Sequence, residues 1–276
     1  MPELPEVETI RTQLDKFLTG DRISKVEIIH PKYSFPTEKV IGQKIIGIRR
    51  IAKILSIDLG SGYSILIHVE MTGQLIYRGK KLANTKIISK KIIGGLGGKH
   101  THVVFYLSDG DMLYFNDVRK FGWMKLMPTG NLDLKVSPEP LKDLTKELFK
   151  DILSKSSRNI KVVLMDQDKI GGIGNIYAND ALWLAKIDPT KKANNLRSLE
   201  VNKLFSSIEK VLDNGLKYGG ASENAFVTPD GEEGEYQNHT LVYGREGEIC
   251  RNCKKNKIEK TFLGGRGTYW CSICQK

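Results

Sequence analysis

No apolar stretch in this 276-residue chain approaches the roughly 20 residues a membrane-spanning helix needs, so a helical membrane protein is excluded. Glu3, Glu6 and Glu8 stand where a signal peptide would carry its apolar core, so the chain reads as cytoplasmic. Cysteine is scarce. All four lie between positions 250 and 274, which rules out a disulfide framework spanning the chain, and a reducing compartment argues against disulfides among them. Internal repeats and low-complexity tracts are missing too. Acidic residues are outnumbered, 32 Asp+Glu against 43 Lys+Arg, which leaves a formal charge of +11 and a pI near 9.3. Such an excess suits a polyanionic partner, nucleic acid foremost. Charge alone supports this weakly, and its placement says more. Lys80, Lys81, Lys86, Lys90, Lys91 and Lys99 crowd one region, and Arg251, Lys254, Lys255, Lys257, Lys260 and Arg266 crowd the last 26 residues.

What is there suffices for a full hydrophobic core in one large domain or two ordinary ones. Val7, Ile10, Leu14, Phe17 and Leu18 recur at helical spacing, with Pro5 suited to the first turn and Gly20 to the stop. Residues 22–127 read as strands, clearest at 45–48, 54–59, 63–69, 102–107 and 112–115, and their regular spacing predicts a β-sandwich. Residues 80–99, with two Gly-Gly pairs, read as a long flexible basic loop. The pattern turns helical beyond the prolines at 128, 138 and 140: 139–155, 159–167, 175–185 and 197–218. The expected architecture is α+β, with an N-terminal β-sandwich domain over 1–128 and a linker over 129–137. A helical domain follows over 138–240, then a four-cysteine module over 241–276.

Three groups of residues carry chemistry. Pro2 follows the initiator methionine and is small enough for aminopeptidase trimming to expose it. Its secondary amine would then be a nucleophile able to form an iminium ion, with Glu3 beside it as a proton donor or acceptor. An isolated Met-Pro-Glu would mean little. Cys250-x2-Cys253 and Cys271-x2-Cys274, 17 residues apart, form a doubled knuckle, and four thiolates complete a closed, structural zinc tetrahedron. Between them, Thr261 to Trp270 reads as a hairpin with a glycine-rich tip that would hold Arg266 toward a phosphate. Ile173-Gly174-Asn175-Ile176-Tyr177-Ala178 follows tight glycine turns, with Asn175 at a cap position where backbone N–H groups can hold a phosphate.

MPELPEVET, HVEMTG, DVRKFG, LMDQ…GIGNIYA and GRGTYWC resemble, in this order, the motifs of formamidopyrimidine-DNA glycosylases, bifunctional glycosylase/AP lyases of bacterial base-excision repair. The resemblance covers nearly the whole chain. It implies a helix–two-turns–helix domain, a C-terminal zinc finger with one structural Zn2+, and a monomer acting on duplex DNA that carries oxidised bases or abasic sites. It further implies that Pro2 attacks C1′ of an extruded nucleotide, that Glu3 handles the sugar-ring proton, and that Lys53 and Arg266 hold phosphates flanking the lesion. His68, His100 and Asn175 become DNA contacts. Met71, Arg119 and Phe121 fill the gap left by the extruded base, with Arg119 on the orphan base. The sister enzyme endonuclease VIII begins PEGPE, and the PELPEVE start together with the Met71/Arg119/Phe121 set argues against it. Several positions depart from the family pattern. Glu70 stands for glycine, Thr101 for aspartate and Asp180 for glutamate. Ser156 stands where a basic residue is usual, leaving Lys155 and Arg158 to serve, and Ala225 replaces an acidic or polar residue in the loop that closes over the extruded base. One extra residue between the knuckles is expected to widen the hairpin before Arg266.

Overall fold

The computed structural model describes residues 1–82, 89–131, 137–223 and 225–276, so Lys86, Asn224 and much of the 129–137 linker lie outside the described residues. By contact the chain divides into two units, Met1–Lys135 with Leu216–Gln237, and Val136–Gly215 with Asn238–Lys276. The segment 216–237 thus groups with the N-terminal unit although it follows the helices in sequence.

In the first unit, helix α1 (Leu4–Leu18) begins where the Glu6 carboxylate accepts the Glu3 N–H at 2.7 Å, satisfying a donor the first turn leaves open. Pro5 costs nothing there, having no N–H to lose. The helix buries Val7, Ile10, Leu14, Phe17 and Leu18, the five residues its spacing singles out. It packs into the core between two antiparallel sheets of four strands each. One sheet orders β1 (Ile23–Ile28), β6 (Thr101–Leu107), β7 (Met112–Asp117) and β5 (Gly73–Arg78). The other orders β2 (Ile45–Ile51), β3 (Ile54–Leu59), β4 (Tyr63–His68) and β8 (Trp123–Pro128). Strands β1 and β8 are faint in sequence because each mixes lysine into a short run that is largely half-exposed.

The basic stretch 80–99 is less free, in its described part, than its glycines suggest. The Gln74 side chain donates to the Lys91 carbonyl and accepts from Ile93 N–H. Lys91 pairs with Glu233 at 2.6 Å, and Lys81 pairs with Asp21. Two lysines counted toward a polyanion surface are therefore engaged in ion pairs.

The second unit holds helices α2 (Lys146–Ser154), α3 (Ile160–Leu164), α4 (Asn175–Ala185) and most of α5 (Ser198–Lys217). Helix α2 starts seven residues later than the expected 139. Pro140 and the left-handed Leu141 (φ +64°) interrupt the backbone, and Thr145 supplies the cap by accepting Leu148 N–H. The unit closes with a hairpin, β9 (Glu259–Leu263) and β10 (Arg266–Trp270).

Candidate functional site

Pro2 and Glu3 are both buried, Glu3 to 4% exposure, while Met1 is exposed. The segment is pinned from two sides. Glu6 accepts Glu3 N–H with one carboxylate oxygen and Ala221 N–H, at 2.8 Å, with the other. Two residues on, Glu8 pairs with Arg50 at 2.7 Å, and Arg50 also donates to the Ala52 carbonyl. This chain of contacts connects α1 to the two-residue turn between β2 and β3, where Lys53 sits. Arg50 carries no motif signal, and Glu6 falls within the MPELPEVET string with no role assigned to it. An acid at the third helical position after a proline-flanked start is the one sequence hint for Glu6.

Lys53 is only 6% exposed, so it is not the solvated basic edge that its Arg-Arg neighbourhood suggests. It lies near enough to His68 to disfavour a second positive charge there. Burial is the larger influence, lowering the His68 pKa below the usual imidazole value; Glu70 opposes it and Lys53 reinforces it. His68 stacks on Trp123 and accepts Glu70 N–H through Nδ1. Glu70 itself has φ +51°, the left-handed backbone that glycine adopts without penalty. The glycine-to-glutamate departure thus keeps a glycine's backbone conformation and adds a carboxylate 3.2 Å from His68. Gly73, two residues past Met71, cannot be replaced cheaply, since a Cβ there would stand 2.3 Å from the Val69 carbonyl oxygen.

Met71, Arg119 and Phe121 come together at the surface. Met71 is 37% and Phe121 50% exposed. The Arg119 guanidinium lies 4.3 Å from the Phe121 ring centre and 3.2 Å from the Met71 sulfur. A cation flanked by two exposed apolar side chains is an arrangement suited to insertion into a base stack. His100 is half-buried, and its carbonyl accepts Asp117 N–H. Thr101, in place of the expected aspartate, is buried and donates to Asn116.

In the second unit Gly174, not Asn175, is the helix cap. Asn175 is the first helical residue, and its side-chain oxygen accepts from Asn179 Nδ2 at 3.2 Å instead of capping. Asp180 is fully buried and accepts three successive backbone N–H groups, from Leu241, Val242 and Tyr243. The shorter acid thus organises the chain just ahead of the cysteines. Ser156 is buried, whereas Lys155 and Arg158 are exposed and paired with Asp151 and Asp166. Ala225, in the first unit, is buried, with its carbonyl bonded to Gln74.

The hairpin does not widen before Arg266. Gly264 and Gly265, at φ +56° and +71°, make a two-residue turn, and Arg266 pairs directly with Leu263. This geometry matches the type I′ pattern that glycine pairs favour. Arg266 is exposed at the strand start. Behind it Lys161, fully buried, donates to the Gly267 carbonyl at 2.7 Å and to Thr268 Oγ1 at 2.8 Å. Asn179 accepts Tyr269 N–H at 2.7 Å. Lys161 is a lone cation in the apolar run Ile160–Leu164, the sequence signal that marks it in hindsight.

The four cysteine sulfurs lie within 4.8 Å of one another. Zinc–thiolate bonds of about 2.3 Å in a regular tetrahedron set neighbouring sulfurs about 3.8 Å apart. Cys250–Cys274 at 3.8 Å and Cys253–Cys271 at 3.7 Å meet that spacing, so the donor set fits zinc. The backbone N–H groups of Asn256 and Lys255 pull the Cys253 thiol down to about 6, toward the thiolate a metal requires. The buried indole N–H of Trp183 meets no hydrogen-bond partner, yet it stands near enough to Cys250 to favour that thiolate.

Comparison with known proteins agrees with this geometry. The formamidopyrimidine-DNA glycosylase N-terminal domain model matches residues 1–124, and the H2TH domain model of the same enzymes matches residues 136–227. The formamidopyrimidine-DNA glycosylase of Pelotomaculum thermopropionicum is 38% identical, over 100% of this chain and 99% of its own. Lactococcus lactis Fpg bound to DNA containing an abasic site has a TM-score of 0.85 at 34% identity, covering 99% of both chains. The same Lactococcus lactis protein bound to DNA containing N7-benzyl-Fapy-dG has a TM-score of 0.84 at 34% identity, covering 100% of both. The chain belongs to the formamidopyrimidine-DNA glycosylase family of base-excision repair enzymes.

Proposed function

We propose that this chain removes oxidised purines, 8-oxoguanine and formamidopyrimidines, from duplex DNA and nicks the resulting abasic site by β,δ-elimination. The observation that carries the reading is the buried Pro2–Glu3 pair on a capped, doubly tethered helix start. Once Met1 is removed, the Pro2 nitrogen lone pair attacks C1′ as the glycosidic bond breaks, and the base leaves with the bonding pair and takes up a proton. Glu3 protonates the ring oxygen, and the opened sugar is held as an iminium ion on Pro2. Loss of a C2′ proton then expels the 3′ phosphate, and a second elimination expels the 5′ phosphate.

Lys53 and His68 in the first unit, and Arg266 and Asn175 in the second, are assigned to phosphates. His100 is a further DNA contact, and Met71, Arg119 and Phe121 fill the vacated gap. A zinc ion on Cys250, Cys253, Cys271 and Cys274 would be structural, a closed tetrahedron leaving no position for substrate. The acting species is read as a cytoplasmic monomer. Borohydride reduction of the iminium tests the chemistry. Pro2→Gly, or retained Met1, should abolish the covalent DNA adduct on 8-oxoguanine duplexes while lesion binding persists. Trapping at wild-type efficiency in Pro2→Gly would sink the assignment, and a preference for duplexes carrying an oxidised pyrimidine would overturn the substrate class.

A further inference from the structure

The exposed segment carrying Arg119 and Phe121 is short, and Lys120 within it has the left-handed φ of +54°. Its direction is set from beneath by the fully buried carboxylate of Asp117. One oxygen of that carboxylate accepts Gly122 N–H at 2.9 Å and the Tyr33 hydroxyl at 3.1 Å. The other accepts the Thr72 hydroxyl, whose oxygen in turn accepts Arg119 N–H at 3.1 Å. Both ends of the segment therefore hang on one carboxylate. Gly122 has no room for a side chain, since a Cβ would stand 2.9 Å from the His68 carbonyl oxygen.

Tyr33 comes from outside the segment, at the end of a short 3-10 turn over Pro31–Tyr33. Its ring is fully buried, stacked on His102 at 5.3 Å and set edge-on to Phe115 at 5.1 Å. His102 is itself fixed by a hydrogen bond from its ring to the Asp117 carbonyl. The residue before Tyr33, Lys32, donates to the Lys120 carbonyl. One turn thus holds the segment at its middle through Lys32 and at its root through Tyr33. A buried phenol needs an acceptor, and the one it finds is the carboxylate that orients Arg119.

We propose that Tyr33 is a positioning residue for the Arg119–Phe121 segment and so sets how strictly the base opposite the lesion is read. The proposal rests on the assignment of Arg119 to the orphan base given above. A guanidinium reads a base edge only while its direction is held, because hydrogen-bond discrimination falls steeply with misalignment. Losing the phenol leaves the carboxylate one donor short at the oxygen shared with Gly122.

The test uses the full chain with four substitutions. Tyr33→Phe keeps the ring and removes the hydroxyl. Thr72→Val removes the second donor, Thr72→Ser restores it, and Arg119→Ala removes the reader. Excision of 8-oxoguanine opposite C and opposite A gives a ratio, and amide hydrogen exchange in the free protein reports Arg119 and Gly122. Tyr33→Phe and Thr72→Val should speed that exchange and move the ratio toward one by about tenfold, the factor one hydrogen bond to a charged group commands. Thr72→Ser should retain wild-type values. A ratio that collapses in Arg119→Ala but stays intact in Tyr33→Phe, with excision lowered equally opposite both bases, would make Tyr33 merely structural and overturn the proposal. An unaltered ratio in Arg119→Ala would instead overturn the orphan-base assignment and the specificity half of the proposal with it. Exchange at Arg119 and Gly122 would still decide whether Tyr33 orders the segment.

Discussion

Glu70 and Ala52 both occupy backbone conformations with positive φ, +51° and +52°, that glycine adopts freely. A side chain there costs about 1–2 kcal/mol in the folded chain. Glycine returns part of that gain, roughly 0.4–1 kcal/mol, through the greater freedom of the unfolded state. Glu70→Gly and Ala52→Gly should therefore each stabilise the protein by about 0.5–1 kcal/mol in urea melts. Because Glu70 raises the His68 pKa, Glu70→Gly should also lower that value further, read from the imidazole proton shifts across a pH series. A rise or no change would mean that Glu70 does not act on His68 electrostatically.

At the scale of elements, the cysteine module shows how unevenly structure can be read from sequence. Its metal set was legible from spacing alone, since four thiolates in paired knuckles have few other uses. Helix α1 was legible in the same way, from a clean 3.6-residue period between Pro5 and Gly20. The extra residue between the knuckles was not legible, because spacing counts residues without saying which turn absorbs them. Gly264-Gly265 closes the hairpin tightly. The polar fastenings were hidden for another reason. Lys161, Asn179 and Asp180 look like ordinary helix residues until tertiary packing brings backbone donors and acceptors to them.

Asp180→Ala would strand three N–H groups, that of Val242 buried and those of Leu241 and Tyr243 partly so, and should lower stability by about 2–3 kcal/mol, measured by chemical denaturation. Trp183→Phe keeps an aromatic ring at this position but removes the N–H that favours the Cys250 thiolate. Zinc should then leave faster in chelator competition, with secondary structure retained, and an unchanged release rate would deny the contact any part in holding metal.

For the whole molecule, stability should fall with acid in two stages. Burial lowers the pKa values of His68 and His102, so the folded state takes up protons less readily than the unfolded state. The stability they contribute is present above about pH 6.5 and is lost as pH falls through their folded values. Carboxylates set the second stage. Burial raises the pKa of Glu200, but hydrogen bonds from Lys191 and Arg197 outweigh it and bring the value to about 2. Asp58 is likewise lowered, its burial outweighed by Arg49, Ser64 and Ser56. Their contribution is intact above about pH 4.5 and disappears toward pH 2. Melting temperatures across pH 2–8 should show both steps, and His102→Gln should flatten the upper one. Binding to any duplex should weaken with salt, and Arg266→Ala should reduce the logarithmic slope by about one.

The hairpin that presents Arg266 is anchored twice. A metal on the four cysteines would grip its far end through Cys271, while Lys161 and Asn179 clasp Gly267, Thr268 and Tyr269 without any metal. A cell short of zinc would then hold an enzyme whose arginine is loosened at one end only. Repair capacity should fade in proportion to the slack and not vanish at a threshold, and returning zinc would find the strand already lying in its berth.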